Sequence, residues 1–228
     1  MNKAVSDIES LKIVSPPITL REMALERIRD AIISGLFAPG QRLVERTLCD
    51  QLGVSRSVIR EVIRHLQAEG LVDVSKQGPV VASMDWDGAR QIYDIRSALE
   101  SSAVFDCARA ATSETKKQLR AVLDELDQNS RKNDPPTVLD VTTRFYEIIF
   151  SAAGHDIAWE IVSRLNSRVS RLRVMTLSTA NRSVSGPARL REIFTAIERN
   201  DPDAAAKACR EHIAEAAHIA EALLRKQL

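Results

Sequence analysis

Leu48-Cys49-Asp50-Gln51-Leu52-Gly53-Val54-Ser55-Arg56-Ser57-Val58-Ile59-Arg60 is the most informative stretch of the chain. Gly53 can take left-handed backbone angles at no steric cost, so it supplies a tight reversal. Ser55 is a good N-cap, because its hydroxyl can accept a backbone N–H of the turn that follows. The pattern predicts a short helix at about 45–52, ended by Gly53, and a second at 56–69, closed by Gly70. Val54 and Ile59 can plug the angle between them. Helix, tight glycine turn, helix is the helix-turn-helix arrangement, and the first turns of its second helix normally enter the major groove. Those turns carry Ser55, Arg56, Ser57 and Arg60. Serine hydroxyls and a helix N-terminus suit phosphate oxygens. Arginine can reach a phosphate, or bind guanine O6 and N7 through two hydrogen bonds. Arg56, Arg60 and Arg64 form one stripe at i, i+4 and i+8. Taken alone, such a stripe would equally suit a solvated helix face.

The surroundings decide between those readings. Upstream, a helix begins after Thr19, with Leu25, Ile28, Ile32 and Ile33 on one face and Arg21, Glu22, Glu26, Arg29 and Asp30 mostly on the other. Gly35 stops it, and Ala38-Pro39-Gly40 is a turn. Downstream, 71–74 and 80–82 read as two short strands joined by Ser75-Lys76-Gln77-Gly78-Pro79. This hairpin is a wing with a polar tip, and Gly78 lets the backbone come close to DNA. Residues 1–18 lack periodicity, end in Ser15-Pro16-Pro17-Ile18, and are expected to form a flexible arm. From Asp85 onward the signal is helical: about 85–111, 113–131, 136–153, 156–177, 187–199 and 201–227. Expected breaks include Ser178 to Pro187 and Asn200-Asp201-Pro202. The predicted fold is mainly α, with a winged helix-turn-helix at 19–84 and an all-helical bundle at 85–228.

Composition narrows the function. The chain has 228 residues and a formal net charge of +1, so a DNA contact must come from a local basic patch, not from bulk charge. No run approaches the roughly 20 apolar residues of a membrane span. The opening MNKAVSDIESLK has no apolar secretory core. Cys49, Cys107 and Cys209 are widely separated and read as reduced thiols, mostly small buried hydrophobes, in a cytoplasmic protein. No P-loop, GxSxG, HExxH or convergent carboxylate pair is present, so no enzymatic activity is expected.

Three segments carry a family resemblance: Ala38-Pro39-Gly40-Gln41-Arg42-Leu43, Leu52 to Val62, and Leu66-Gln67-Ala68-Glu69-Gly70-Leu71-Val72. Residues 19–83 resemble the winged helix-turn-helix of GntR transcriptional regulators. Residues 90–222 resemble the helical effector (FCD) domain of the FadR-like branch, opening with Ile95-Arg96-Ser97-Ala98-Leu99-Glu100 and closing with Asp203 to Ile213. The resemblance implies Arg46, Arg56 and Arg60 as the main DNA contacts, Ser55 on phosphate with Ser57 beside it, and Gln77 and Gly78 at the wing tip. It implies a homodimer on a short inverted repeat of double-stranded DNA. It also implies a regulator, more often a repressor, controlled by a small effector. Organic acids are the first class implied, and acyl-CoA the second.

Many FCD domains hold a divalent metal with an Asp, a His four residues on, and two further His. In this chain Thr142 stands in the Asp position, Tyr146 in the first His position and Leu190 in the second, and only His212 remains. Asp140 lies about 200° around the helix from the Asp position. One imidazole cannot hold a transition metal alone, so no metal and no cofactor is expected. Thr142, Tyr146 and His212 could instead hydrogen-bond a small molecule. His212 could equally be an interior imidazole. Arg96 could pair with a ligand carboxylate or form an ion pair with Glu100 one turn on. Of Arg164, Arg168, Arg171 and Arg173, one could point inward. A constitutive DNA-binding protein with a decayed pocket is the competing expectation.

Overall fold

A computed structural model of the chain describes residues 19–76, 78–132 and 135–226, and the side chains of all of these except 130–132 and 180–184. The predicted arm at 1–18 and the wing residue Gln77 lie outside the described residues. The first unit holds α1 (Leu20–Ile33), α2 (Glu45–Leu52), α3 (Arg56–Ala68), β1 (Val72–Ser75) and β2 (Gly78–Val81). A helical unit follows: α4 (Trp86–Ala110), α5 (Ser113–Lys132), α6 (Pro135–Ala153), α7 (Asp156–Arg168), α8 (Ser170–Leu177), α9 (Ala180–Glu198) and α10 (Pro202–Arg225).

Local chemistry explains the first unit. Thr19 and Glu22 form a reciprocal capping box that starts α1. Gly53 ends α2 in the left-handed conformation, with φ 65°. Ser55 then caps α3 by accepting from the Val58 N–H. Ile59, Val62, Ile63 and Leu66 recur at helical spacing and are buried against Leu25, Ile28 and Leu48. Val54 packs at the edge of that cluster. Arg29 reaches from α1 to the end of α3, where Nε and Nη2 donate to the two Glu69 oxygens. The strands pair antiparallel from Val72 opposite Val81 to Ser75 opposite Gly78, so the ladder runs closer to the wing tip than the sequence pattern suggests. The segment before α2 adds to it: Leu43 N–H donates to Pro79 O, and Arg42 bridges Val80.

The helical unit has its own core, with Val104, Leu123, Phe145, Ile149, Phe150, Ile193 and Ile213 fully buried or nearly so. The long helices α4 and α10 pack along one another, and α6 and α9 complete the layer around the cavity described below. Asp201 caps α10 by accepting from Ala204 N–H.

Two boundaries differ from expectation. The helix expected at 156–177 is two helices, broken at Val169, where φ is −102° and ψ 9°. The hydroxyls of Ser163, Ser167 and Ser170 donate back to the carbonyls of Trp159, Ser163 and Ser167, a side-chain competition that bends helices. The expected break from Ser178 to Pro187 is also wrong: α9 starts at Ala180 and carries Pro187 inside it. Interior proline costs about 3 kcal/mol. Leu190, Ile193, Phe194 and Ile197, all buried, outweigh that cost.

Ile59 is fully buried in the small core of the first unit. Ile59→Ala is expected to cost about 2–5 kcal/mol of that unit's stability. Urea unfolding followed by circular dichroism checks it, and a loss under about 1 kcal/mol would contradict the packing described.

Candidate nucleic-acid interface and ligand cavity

The start of α3 presents Ser55, Arg56, Ser57 and Arg60, all exposed. The Ser55 and Ser57 hydroxyls lie 2.8 Å apart over the first turn. Arg46, one residue into α2, is exposed too. Arg60 is not a free cation, because its Nε donates to Glu45 at 3.0 Å, across the two helices. The pair is solvent-exposed, so it is weak and exchangeable. At the wing, Gly78 has φ 110°. A side chain there would be strained, and its Cβ would stand 3.8 Å from the Arg42 guanidinium. Arg42 is thus a wing-tip cation that helical periodicity could not reveal; its signal is the strand partner it gains only in three dimensions.

The helical unit encloses a small cavity of about 40 Å³. Arg96, Thr142, Leu190 and His212 line it, together with Arg173, Thr176 and the Gly186-Pro187 segment of α9. Three of the four predicted ligand residues therefore meet there. Tyr146 does not line it. Its ring is buried between Phe145 and His212, and its hydroxyl lies 3.7 Å from Cys209 Sγ. Burial, with Cys209 and Glu100 nearby, raises the phenol pKa well above its usual value, so it stays neutral.

Charge dominates this cavity. Arg96 donates through Nε to Glu100 at 2.7 Å, and its guanidinium lies 5.5 Å from the Tyr93 ring centroid. Arg96 is therefore both an ion-pair partner and a cavity residue. Burial works against its charge, but the Glu100 charge and hydrogen bond prevail and raise its pKa. Arg173, the inward-pointing arginine of the α7–α8 group, is 8% exposed. α8 begins right after the break at Val169, four residues before it. Among the described residues its guanidinium makes no hydrogen bond or ion pair. Burial and the neighbouring Arg96 charge lower its pKa to about 10, against the opposing pull of Glu100. Two buried guanidiniums thus share one buried carboxylate.

The metal site of the family does not fit this donor set. Thr142 Oγ1 is committed to the Val138 carbonyl at 2.8 Å, and Leu190 offers no lone pair. Among the described residues no group of three or more His, Cys, Asp or Glu stands close enough to hold a metal ion. Cys107 and Cys209 are buried and Cys49 half-buried. Burial pushes the Cys107 thiol up to about 11, which keeps it an inert thiol.

The shared carboxylate generates a pair of opposite expectations. Glu100→Gln removes the counter-charge of two buried cations and should cost about 3–5 kcal/mol. Arg173→Met removes the uncompensated cation, so in ligand-free protein it should be neutral or stabilising by about 1–3 kcal/mol. Urea titration of both variants checks this, and equal destabilisation by both would contradict the charge balance.

No helix among the described residues is long and apolar enough to cross a membrane. The family model for bacterial regulatory proteins of the gntR family matches residues 20–81, and that for the FCD domain matches 91–215. The chain is 25% identical over 207 residues, 89% of either chain, to the HTH-type transcriptional repressor RspR of Escherichia coli (strain K12). It is 26% identical to the gluconate operon transcriptional repressor of Bacillus licheniformis, over 75% of this chain and 67% of that one. A crystal structure of a putative GntR regulator from Rhodococcus sp. RHA1 matches 91% of this chain and 98% of its own with a TM-score of 0.73, at 23% identity that speaks for the fold alone. With a three-helix head, a two-stranded wing and a helical effector unit, the chain belongs to the GntR family, joins that family's DNA-binding domain to an FCD domain, and is a transcriptional regulator rather than an enzyme.

Proposed function

We propose that the protein is a cytoplasmic, homodimeric repressor whose hold on a short inverted repeat is controlled by a small organic acid in the helical domain. Arg56 and Arg60 read base edges, Ser55, Ser57 and Arg46 hold phosphates, and Gln77 and Gly78 carry the wing contact. Arg42 strengthens that wing contact. Repression agrees with the names of the two relatives above. Dimerisation is supported by Ile95 on α4 and Ile157 and Ile161 on α7, large side chains left exposed on two helices that pack together. A two-fold protein matches a palindromic operator.

The observation that carries the effector reading is the second buried guanidinium. A carboxylate between Arg96 and Arg173 would balance the charge that Glu100 alone does not, and guanidinium binds carboxylates through paired hydrogen bonds. About 40 Å³ suits a compact acid, whose remainder displaces the lip of the cavity, and not an acyl-CoA. Thr142 and Thr176 already donate to backbone carbonyls, so their oxygens are left as acceptors for a ligand hydroxyl. A hydroxy acid fits that pattern. Effector and operator are then coupled by a reciprocal free energy, typically about 1–3 kcal/mol. The same small volume favours a second reading, a constitutive regulator whose pocket has closed.

Two measurements test these readings. Operator DNA obtained by in vitro selection, followed by fluorescence anisotropy, should show Arg56→Ala and Arg60→Ala each losing about 1–3 kcal/mol. No loss at either position would overturn the assignment of the reading helix. Thermal unfolding of EDTA-treated protein against hydroxy acids, dicarboxylates and sugar acids should give a rise of roughly 5–10 °C at about 100 times the dissociation constant. Arg173→Met should abolish that rise. Shifts seen only with added zinc or nickel would contradict the metal-free cavity, and silence throughout would favour the constitutive reading.

A further inference from the structure

A larger cavity lies elsewhere. A cleft of about 520 Å³ separates the DNA-binding head from the helical domain, within the usual 300–1,000 Å³ range of small-molecule sites. Leu71 and Val81 of the head form one wall, and Leu172 and Met175 of α8 the other. Met84 and Trp86, on the connection between the units, close the end. Three arginines line this mostly apolar space: Arg168, Arg171 and Arg225. Arg171 Nη1 is buried and has no hydrogen-bond partner among the described residues. Its Nη2 lies 3.4 Å from the point where a Cβ on Gly35 would stand, so the group is wedged over the end of α1. Arg168 crosses the end of α3 in the same way: a Cβ on Gly70 would come within 2.6 Å of its Cγ. Both cations sit at helix C-termini, where the backbone dipole favours them.

The other charges facing the cleft are Arg168, Arg225, Asp85 and Asp87. Arg225 is engaged by Glu221, and Asp85 accepts the Gly88 N–H as the cap of α4. Asp87 lies in the first turn of α4, where the helix dipole favours a carboxylate. Arg171 lines the cleft with a donor that has no acceptor among the described residues, and because its Nη1 is sealed from the open volume an acceptor reaches it only by shifting the side chain. An unmet buried donor of that kind costs free energy until an acceptor arrives.

We propose that this cleft is a second ligand site, for an apolar monocarboxylate, with the carboxylate on Arg171 and the apolar body between Leu71, Trp86 and Met175. Its walls come from both units, so an occupant that fits one separation of the walls better than another biases the angle of the head. The site is independent of the small cavity beneath Arg173, and the two readings stand or fall separately.

Trp86 provides the test, because the sequence contains only two tryptophans. In full-length protein carrying Trp159→Phe, Trp86 is the sole emitter. Titration with decanoate should give a saturable blue shift of its emission. Affinity should fall at least tenfold, roughly, in Arg171→Gln and for decanol in place of decanoate, and recover in part in Arg171→Lys. Isothermal calorimetry of decanoate on the unmodified chain and on Arg171→Gln gives the same comparison should the Trp159 variant not fold. Absence of a saturable response by both methods overturns the proposal. So does equal affinity of decanoate for Arg171→Gln, or of decanol and decanoate for the unsubstituted arginine.

Discussion

Glu100 is the charge around which the helical domain is arranged. It is fully buried, and the two cations that share it are nearly so. A carboxylate and a guanidinium taken out of water each carry a penalty of several kcal/mol, repaid only where geometry and hydrogen bonds are good. Arg96 meets that condition, one helical turn from Glu100 and stacked beside Tyr93. Arg173 does not. Three elements must keep their places for this arrangement to persist: α4, which carries the pair; α8, which carries the surplus cation; and α10, which brings His212 to the same cavity. An apolar core of the same volume would be cheaper. Its absence here is what the proposed effector reading accounts for: stability given up for binding.

The same charge balance bears on the family's metal site, whose donor set these residues do not reproduce. A bound dication supplies positive charge that attracts a carboxylate, and its protein ligands hold it in position. With threonine, tyrosine and leucine at three of those four positions, the positive charge must come from side chains. In the proposed function two arginines supply it, with one of them left poorly compensated.

The head was legible from sequence because its punctuation is local. Thr19, Gly53, Ser55 and Gly70 act on backbone groups within four residues, and each does in the structure what its chemistry predicts. The errors fall where distant packing outvotes local preference. Pro187 reads as a helix break, but the apolar run from Leu190 to Ile197 carries α9 through it. Val169 gives no local warning; the serines around its break, Ser163, Ser167 and Ser170, bond back to carbonyls three or four residues earlier. The cavity lining was half legible. Arg96, Thr142 and His212, named by position within a pattern, line the cavity, whereas Tyr146 packs beside it, and Arg173 was one of four equivalent arginines in the sequence. Arg42 acquires its place at the wing only when the strand bridge forms.

The bond between Arg60 and Glu45 has a consequence for how the head searches a chromosome. Most DNA it meets is the wrong sequence and offers little beyond phosphate charge. A phosphate that takes Arg60 must displace Glu45 and leave that carboxylate facing a polyanion. Each exposed pair of this kind is worth at most about 1 kcal/mol. The toll is small at any single site, but it is levied at every wrong one, where no base contact repays it. If Arg60 contacts DNA as proposed, Glu45 loosens the hold on bulk DNA more than the hold on the operator, and shortens each fruitless stop.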